Sequence, residues 1–328
     1  MITHKQIVDH LIINSGTKNQ KDLVDQVSDI LALGETSIYN KLNDRSKFSM
    51  TEIMKVFAKF NISLDQIMYN NAKHNAFTPF FADGLKYKPR NYGDYIDNII
   101  LYYSKIKQLK DVKGYFLANE VPLFHLLSFP YLMYLKLYIW NKTNWQIEGI
   151  SNNFDYNQFA NDFNLKKSIS LLKELYFSFP DIEVWNPNML DNTISQFEYL
   201  IDIGIINSPD DIFNIKKEFK NLVDYLEELT LIGSKPLNSK QESKECNVYV
   251  TDLNIGSEVI LVRSENLDLL FQQIDVPNYM RTTDPRMIDN QFRFFENIRK
   301  ISTHITMTGE KERFKFFKKL RERINAIS

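Results

Sequence analysis

Ser28 stands four positions before Ala32, and Leu33, Ile38 and Leu42 follow at spacings that would pin a second helix across a first. Ser28 would let two helices cross closely, and Ala32 would occupy the turn between them. This is the spacing of a helix-turn-helix. A helix opening at Glu35 would then enter the major groove of double-stranded DNA. Thr36, Ser37, Tyr39 and Asn40 would face base edges or adjacent phosphates, since asparagine pairs with adenine and Thr or Ser contacts either base type. Lys41, Arg45 and Lys47 would hold the phosphate backbone. Residues 1–70 carry eight bases and eight acids, so a monomer should bind weakly and a homodimer joined through the C-terminal region is expected. The same balance also fits a small helical bundle kept for protein contact.

A second charged feature lies at the C-terminus. From Arg299 to Ser328, nine bases face three acids. A solvated amphipathic helix accounts for this pattern, and auxiliary binding to DNA or another anionic partner is the alternative. Catalytic patterns are wanting: there is no phosphate loop with lysine, no Gly-x-Ser-x-Gly elbow and no His-Glu-x-x-His helix, and the five histidines show no ligand spacing. No enzyme, cofactor or metal site is therefore expected, and His125 beside Phe124 reads as a core histidine. Glu183 with Trp185, and Gln196 with Glu198, could line a pocket. Tyr102, Tyr103, Phe116, Phe124, Tyr131, Tyr134, Tyr138 and Trp140 are dense enough to line an effector cavity, although core packing explains the same residues.

The elements that must position these groups are mostly helical. Apolar residues recur at helical spacing through five short stretches of residues 1–70, with Ser49 and Glu52 placed for a capping box and the fifth helix opening after Ser63. A connector follows at 71–94. Residues 95–328 then show helical periods over Tyr95–Leu109, Pro130–Trp140, Leu165–Phe179, Asn188–Ile203 and Pro209–Leu231, and later over Asn290–Ile301 and Glu310–Ile324. Gly114–Ala118 suggests a short strand, Gly233–Glu245 a loop, and the β-branched runs Asn247–Asp252 and Glu258–Arg263 an antiparallel β-hairpin. The expected fold class is thus mainly α, with an N-terminal five-helix domain and a larger helical C-terminal region carrying one small hairpin.

Composition narrows the alternatives. The chain has 328 residues, 10 glycines, one cysteine (Cys246) and a formal charge of −1. So little glycine disfavours folds built on many tight turns, a lone cysteine fits a reducing, cytoplasmic setting, and the charge gives no global attraction to polyanions. Val121–Trp140 is long enough to span a bilayer, but Pro122, His125, Pro130 and Lys136 interrupt it, so no membrane partner is expected.

The first 70 residues resemble the DNA-binding domain of lambda-repressor-like (XRE) transcriptional regulators, through Leu23–Leu42 and through Ser49–Met68 with its Ile-Ser-Leu-Asp box at Ile62–Asp65. The likeness extends to regulators of the Bacteroidetes type with a long uncharacterised C-terminal region, through Val121–Phe124, Ile182–Trp185, Gln196–Tyr199 and Gly309–Phe317. The family's turn glycine is replaced here by Ala32, with Gly34 two places on, and Leu42 sits one residue beyond the family's final apolar site. The resemblance implies a sequence-specific, dimeric transcription regulator with a sensing or oligomerisation region. The alternative is a protein-interaction module whose helix-turn-helix does not bind DNA.

Overall fold

A computed structural model describes residues 3–17, 19–60, 62, 78–79, 89–235, 243–253 and 255–327. The chain divides into two units, residues 1–85 and 86–328, and the division falls within the expected connector.

The first unit contains α1 (His4–Asn14), α2 (Gln20–Leu31), α3 (Glu35–Leu42) and α4 (Met50–Lys59). Each start has a local cause. Thr3 and Gln6 form a capping box before α1, Asn19 accepts the Asp22 N–H before α2, and Ser49 and Glu52 form the expected capping box before α4. Leu23, Val24 and Val27 of α2 meet Ile38 and Leu42 of α3 and Ile53, Val56 and Phe57 of α4 in one core, each such side chain stabilising the unit by roughly 1.5–3 kcal/mol. Four helices are described, not a five-helix domain, because the predicted fifth helix at 64–68 lies outside the described residues.

The second unit corrects the mainly helical expectation. It holds a seven-stranded mixed sheet: β1 (Lys113–Ala118), β2 (Asp181–Trp185), β3 (Cys246–Val250), β4 (Val259–Arg263), β5 (Leu269–Asp275), β6 (Asn278–Thr282) and β7 (Thr303–His304), in the order β6-β5-β4-β1-β2-β3-β7. β1, β2 and β3 are parallel, and the remaining pairs are antiparallel. The expected hairpin of β3 with β4 does not form, since β1 and β2 lie between them. Three inter-strand steps of about 4.8 Å are within reach of the connecting residues 251–258. β4 instead forms a hairpin with β5, and β5 with β6.

Helices connect and cover the strands: α5 (Tyr92–Ile106), α6 (Leu123–Leu126), α7 (Pro130–Trp140), α8 (Tyr156–Ala160), α9 (Phe163–Tyr176), α10 (Asp191–Asp202), α11 (Pro209–Ile232), α12 (Pro285–Ile301) and α13 (Glu310–Asn325). On one face of the sheet, Ile288, Phe295 and Ile298 of α12 cover Leu117, Val184, Val259, Leu261 and Leu270. On the other, Phe116 meets Phe124 of α6 and Tyr176 of α9, each with ring centroids 6.1 Å apart. Gly114 permits this packing, for a Cβ there would stand 2.9 Å from the Phe116 ring. No described helix is long and apolar enough to cross a membrane.

Candidate functional site

The turn expected at Ala32 is formed by Ala32 itself, which ends α2 in the left-handed region at φ 52° and sends the chain through Gly34 into α3. Ile38 and Leu42 face inward, which turns the other side of α3 outward. Glu35 and Thr36 are exposed, while Ser37, Tyr39 and Asn40 are half-buried. Tyr39 packs against the core, so its ring has a structural duty besides any contact with DNA.

The three cations differ. Lys41 donates to Glu52 Oε2 at 3.0 Å and to the Lys47 carbonyl at 2.8 Å, with 12% of its side chain exposed. Lys47 is exposed and lies 2.6 Å from Asp44. Arg45 is exposed and has no ion-pair partner among the described residues. The Asn40 carbonyl accepts the N–H groups of Arg45 (2.8 Å) and Ser46 (3.1 Å), which fixes the start of the loop carrying both exposed cations.

The basic C-terminal segment from Arg299 onward is less available to an anion than its composition suggests. Arg321 pairs with Asp224 and Glu227, Arg323 with Glu198, Lys315 with Glu312 and Arg299 with Glu296. Arg313 is buried and donates to the Ile305 carbonyl. The aromatic residues expected to line a cavity are largely core: Tyr103, Phe116, Phe124, Tyr134, Tyr138 and Trp140 are buried, and Tyr131 stacks on Tyr156 with centroids 3.6 Å apart.

Two polar clusters in the second unit go beyond the sequence expectations, which weighed a site or core role only for His125, Glu183 and Trp185 among their members. At the carboxyl ends of the parallel strands, Glu120 accepts from Lys136, Asn192 and Thr193. Glu258 accepts the Glu120 N–H at 3.0 Å and the Tyr279 hydroxyl at 2.9 Å. Burial favours the neutral form of both carboxyls, but at Glu120 the charge and hydrogen bond of Lys136, with the Asn192 and Thr193 donors, together outweigh it and lower that pKa. At Glu258 burial prevails and pushes the pKa up to about 6. Opposed shifts in neighbouring carboxyls are a pattern that active sites use, yet here both groups are spent on hydrogen bonds that tie the β4–β6 hairpins to the parallel strands.

The second cluster lies within the core. Glu183 accepts from His125 Nε2 (3.0 Å), the Tyr176 hydroxyl (2.7 Å) and Trp185 Nε1 (2.6 Å), all buried. Burial raises its pKa, but the charge and hydrogen bond of His125 and the other two donors more than reverse this. Beside it, Lys235 Nζ lies 2.5 Å from Asp181 Oδ2 and donates to the carbonyls of Tyr176 and Phe179. Ligand atoms of Asp181, Glu183 and Cys246 lie within 4.8 Å of one another, but Lys235 already supplies the positive charge and Glu183 is saturated by three donors. His125 is thus a satisfied core histidine, and the Glu183–Trp185 pair is part of the core rather than a pocket wall. Signals were present in Lys136 inside an apolar run and in Asp181 and Glu183 inside a short β-prone segment, for charges so placed need partners.

Compared with known proteins, the chain matches no family model, no curated protein and no solved structure.

Proposed function

We propose that this chain is a DNA-binding transcription regulator of the lambda-repressor-like type, acting in the cytoplasm as a homodimer. The observation that carries the reading is the left-handed turn at Ala32, which joins α2 to a helix α3 whose core-facing Ile38 and Leu42 leave Thr36, Ser37 and Asn40 accessible at its other side. α3 enters the major groove, Thr36 and Asn40 read base edges, and Arg45 and Lys47 contact phosphates. Glu35 and Ser37 lie at the groove edge. Lys41, held by Glu52, positions the loop rather than reaching DNA. The second unit serves as a sensing and oligomerisation body without an active site of its own.

The charge balance of residues 1–70 favours a second reading, a protein-interaction module that keeps the helix-turn-helix without binding DNA. Selection of bound duplexes from a random pool separates the two. The DNA-binding reading expects a reproducible motif with two half-sites about 34 Å apart, and Asn40→Ala should relax preference at one base position. Recovery of no motif would favour the interaction module.

A further inference from the structure

A groove of about 470 Å³ lies on the α12 face of the sheet, beside the chain segment that leads into β4. Its floor is Ile255 and Val259, both buried in the apolar layer under α12. It opens next to the carboxyl end of β1, where Asn119 reaches across to the Gly256 carbonyl at 2.5 Å and the parallel strands give way to antiparallel ones.

The wall contributed by α12 has a specific chemistry. Asn290, Arg293 and Asn297 fall at i, i+3 and i+7, and all three line the groove. They are exposed, and none of their side chains has a hydrogen-bond or ion-pair partner among the described residues. Phe294 stands beside them with 39% of its surface exposed. No aspartate or glutamate lines the groove, so an anion entering it meets one guanidinium and no like charge. Carboxamides offer the paired donor and acceptor that match a base edge. An exposed phenyl ring stacks on a base, and a guanidinium takes two oxygens of a phosphate. The volume suits a ligand of this size.

We propose that this groove binds a nucleotide, with its base against Phe294 and the carboxamides of Asn290 and Asn297, and its phosphate on Arg293. This stands apart from the DNA-binding reading, because it concerns a free small molecule and the second unit only.

The test is calorimetric titration of the full chain with the four ribonucleoside monophosphates, their nucleosides and ribose 5-phosphate. At least one monophosphate should bind saturably at one site per chain, with its nucleoside and ribose 5-phosphate each weaker by roughly tenfold or more. Arg293→Ala should weaken that nucleotide by a similar factor, and Asn297→Ala should alter the preference among bases. Arg293 and Asn297 are exposed, so circular dichroism of both variants should match that of the parent. The proposal is overturned by the absence of saturable binding up to about 1 mM, by unchanged affinity in Arg293→Ala, or by ribose 5-phosphate binding as tightly as any nucleotide.

Discussion

The His4 ring bridges the first helix to the loop that follows α3: its Nδ1 lies 2.6 Å from Asp44 Oδ1, and its Nε2 accepts the Phe48 N–H at 2.9 Å. The nitrogen facing Asp44 is therefore the one that carries hydrogen. Asp44 holds a left-handed backbone at φ 61°, and the bridge fixes the loop that presents Arg45 and Lys47. His4→Ala leaves the Phe48 N–H without its acceptor and should destabilise the first unit by about 1–2 kcal/mol, read as a lower denaturant midpoint. An unchanged midpoint would show that the ring is not holding the loop.

Asp44 itself has a lowered pKa, owing first to the Lys47 hydrogen bond and then to His4. Its contribution is present above the ordinary carboxylate range and disappears as pH falls through the lowered folded value. In Asp44→Asn that part of the acid dependence should be absent, as followed by thermal melting between pH 2 and pH 5, a window of about the carboxylate range.

Glu258 has the opposite sign. Its folded pKa of about 6 exceeds the ordinary 4.5, so the folded state holds its proton more tightly and stability falls as pH rises through that interval. Glu258→Gln keeps an acceptor for the Glu120 N–H and should be more stable than the parent at neutral pH by up to about 2 kcal/mol. The gain should vanish below about pH 4.5. A gain independent of pH would remove the ionisation from the account.

Lys235 and Asp181 are fully buried together. Lys235→Met strands the Asp181 carboxyl beside Glu183 and should cost about 3–5 kcal/mol, whereas Lys235→Met with Asp181→Asn should recover much of that loss. A double variant as unstable as the single one would show that Lys235 acts through its two carbonyl contacts rather than through the charge.

The contrast between the two units shows what a linear sequence reveals. In the first, local signals suffice: Ser49 with Glu52 forms a cap, and Leu23, Val27, Ile38 and Leu42 mark a helix pair by period. In the second, Pro209–Ile232 carried the same legible period, whereas Pro130–Trp140 is buried on every side and was legible only as an apolar run of helical length. β2 was not legible, because its alternation is filled by Asp181 and Glu183, whose burial depends on Lys235 and His125 far away in sequence. The β-branched runs of β3 and β4 were visible as strands, and Gly114–Ala118 as most of β1, but no local pattern names β2 or tells which strands pair. The groove on α12 was likewise hidden, because Asn290, Arg293 and Asn297 look like any solvated helix face until the segment at 255–257 is placed opposite them.

The measurement that bears most directly on the DNA-binding reading is the salt dependence of duplex affinity for the full chain and for Arg45→Ala. A dimer using Arg45 and Lys47 from each copy makes about four phosphate contacts, so log Kd should rise with log salt at a slope of roughly 3–4, and Arg45→Ala should lower that slope by about 2. Failure to bind any duplex at about 50 mM salt, or an identical slope in Arg45→Ala, would contradict the assignment of α3 and its following loop to DNA.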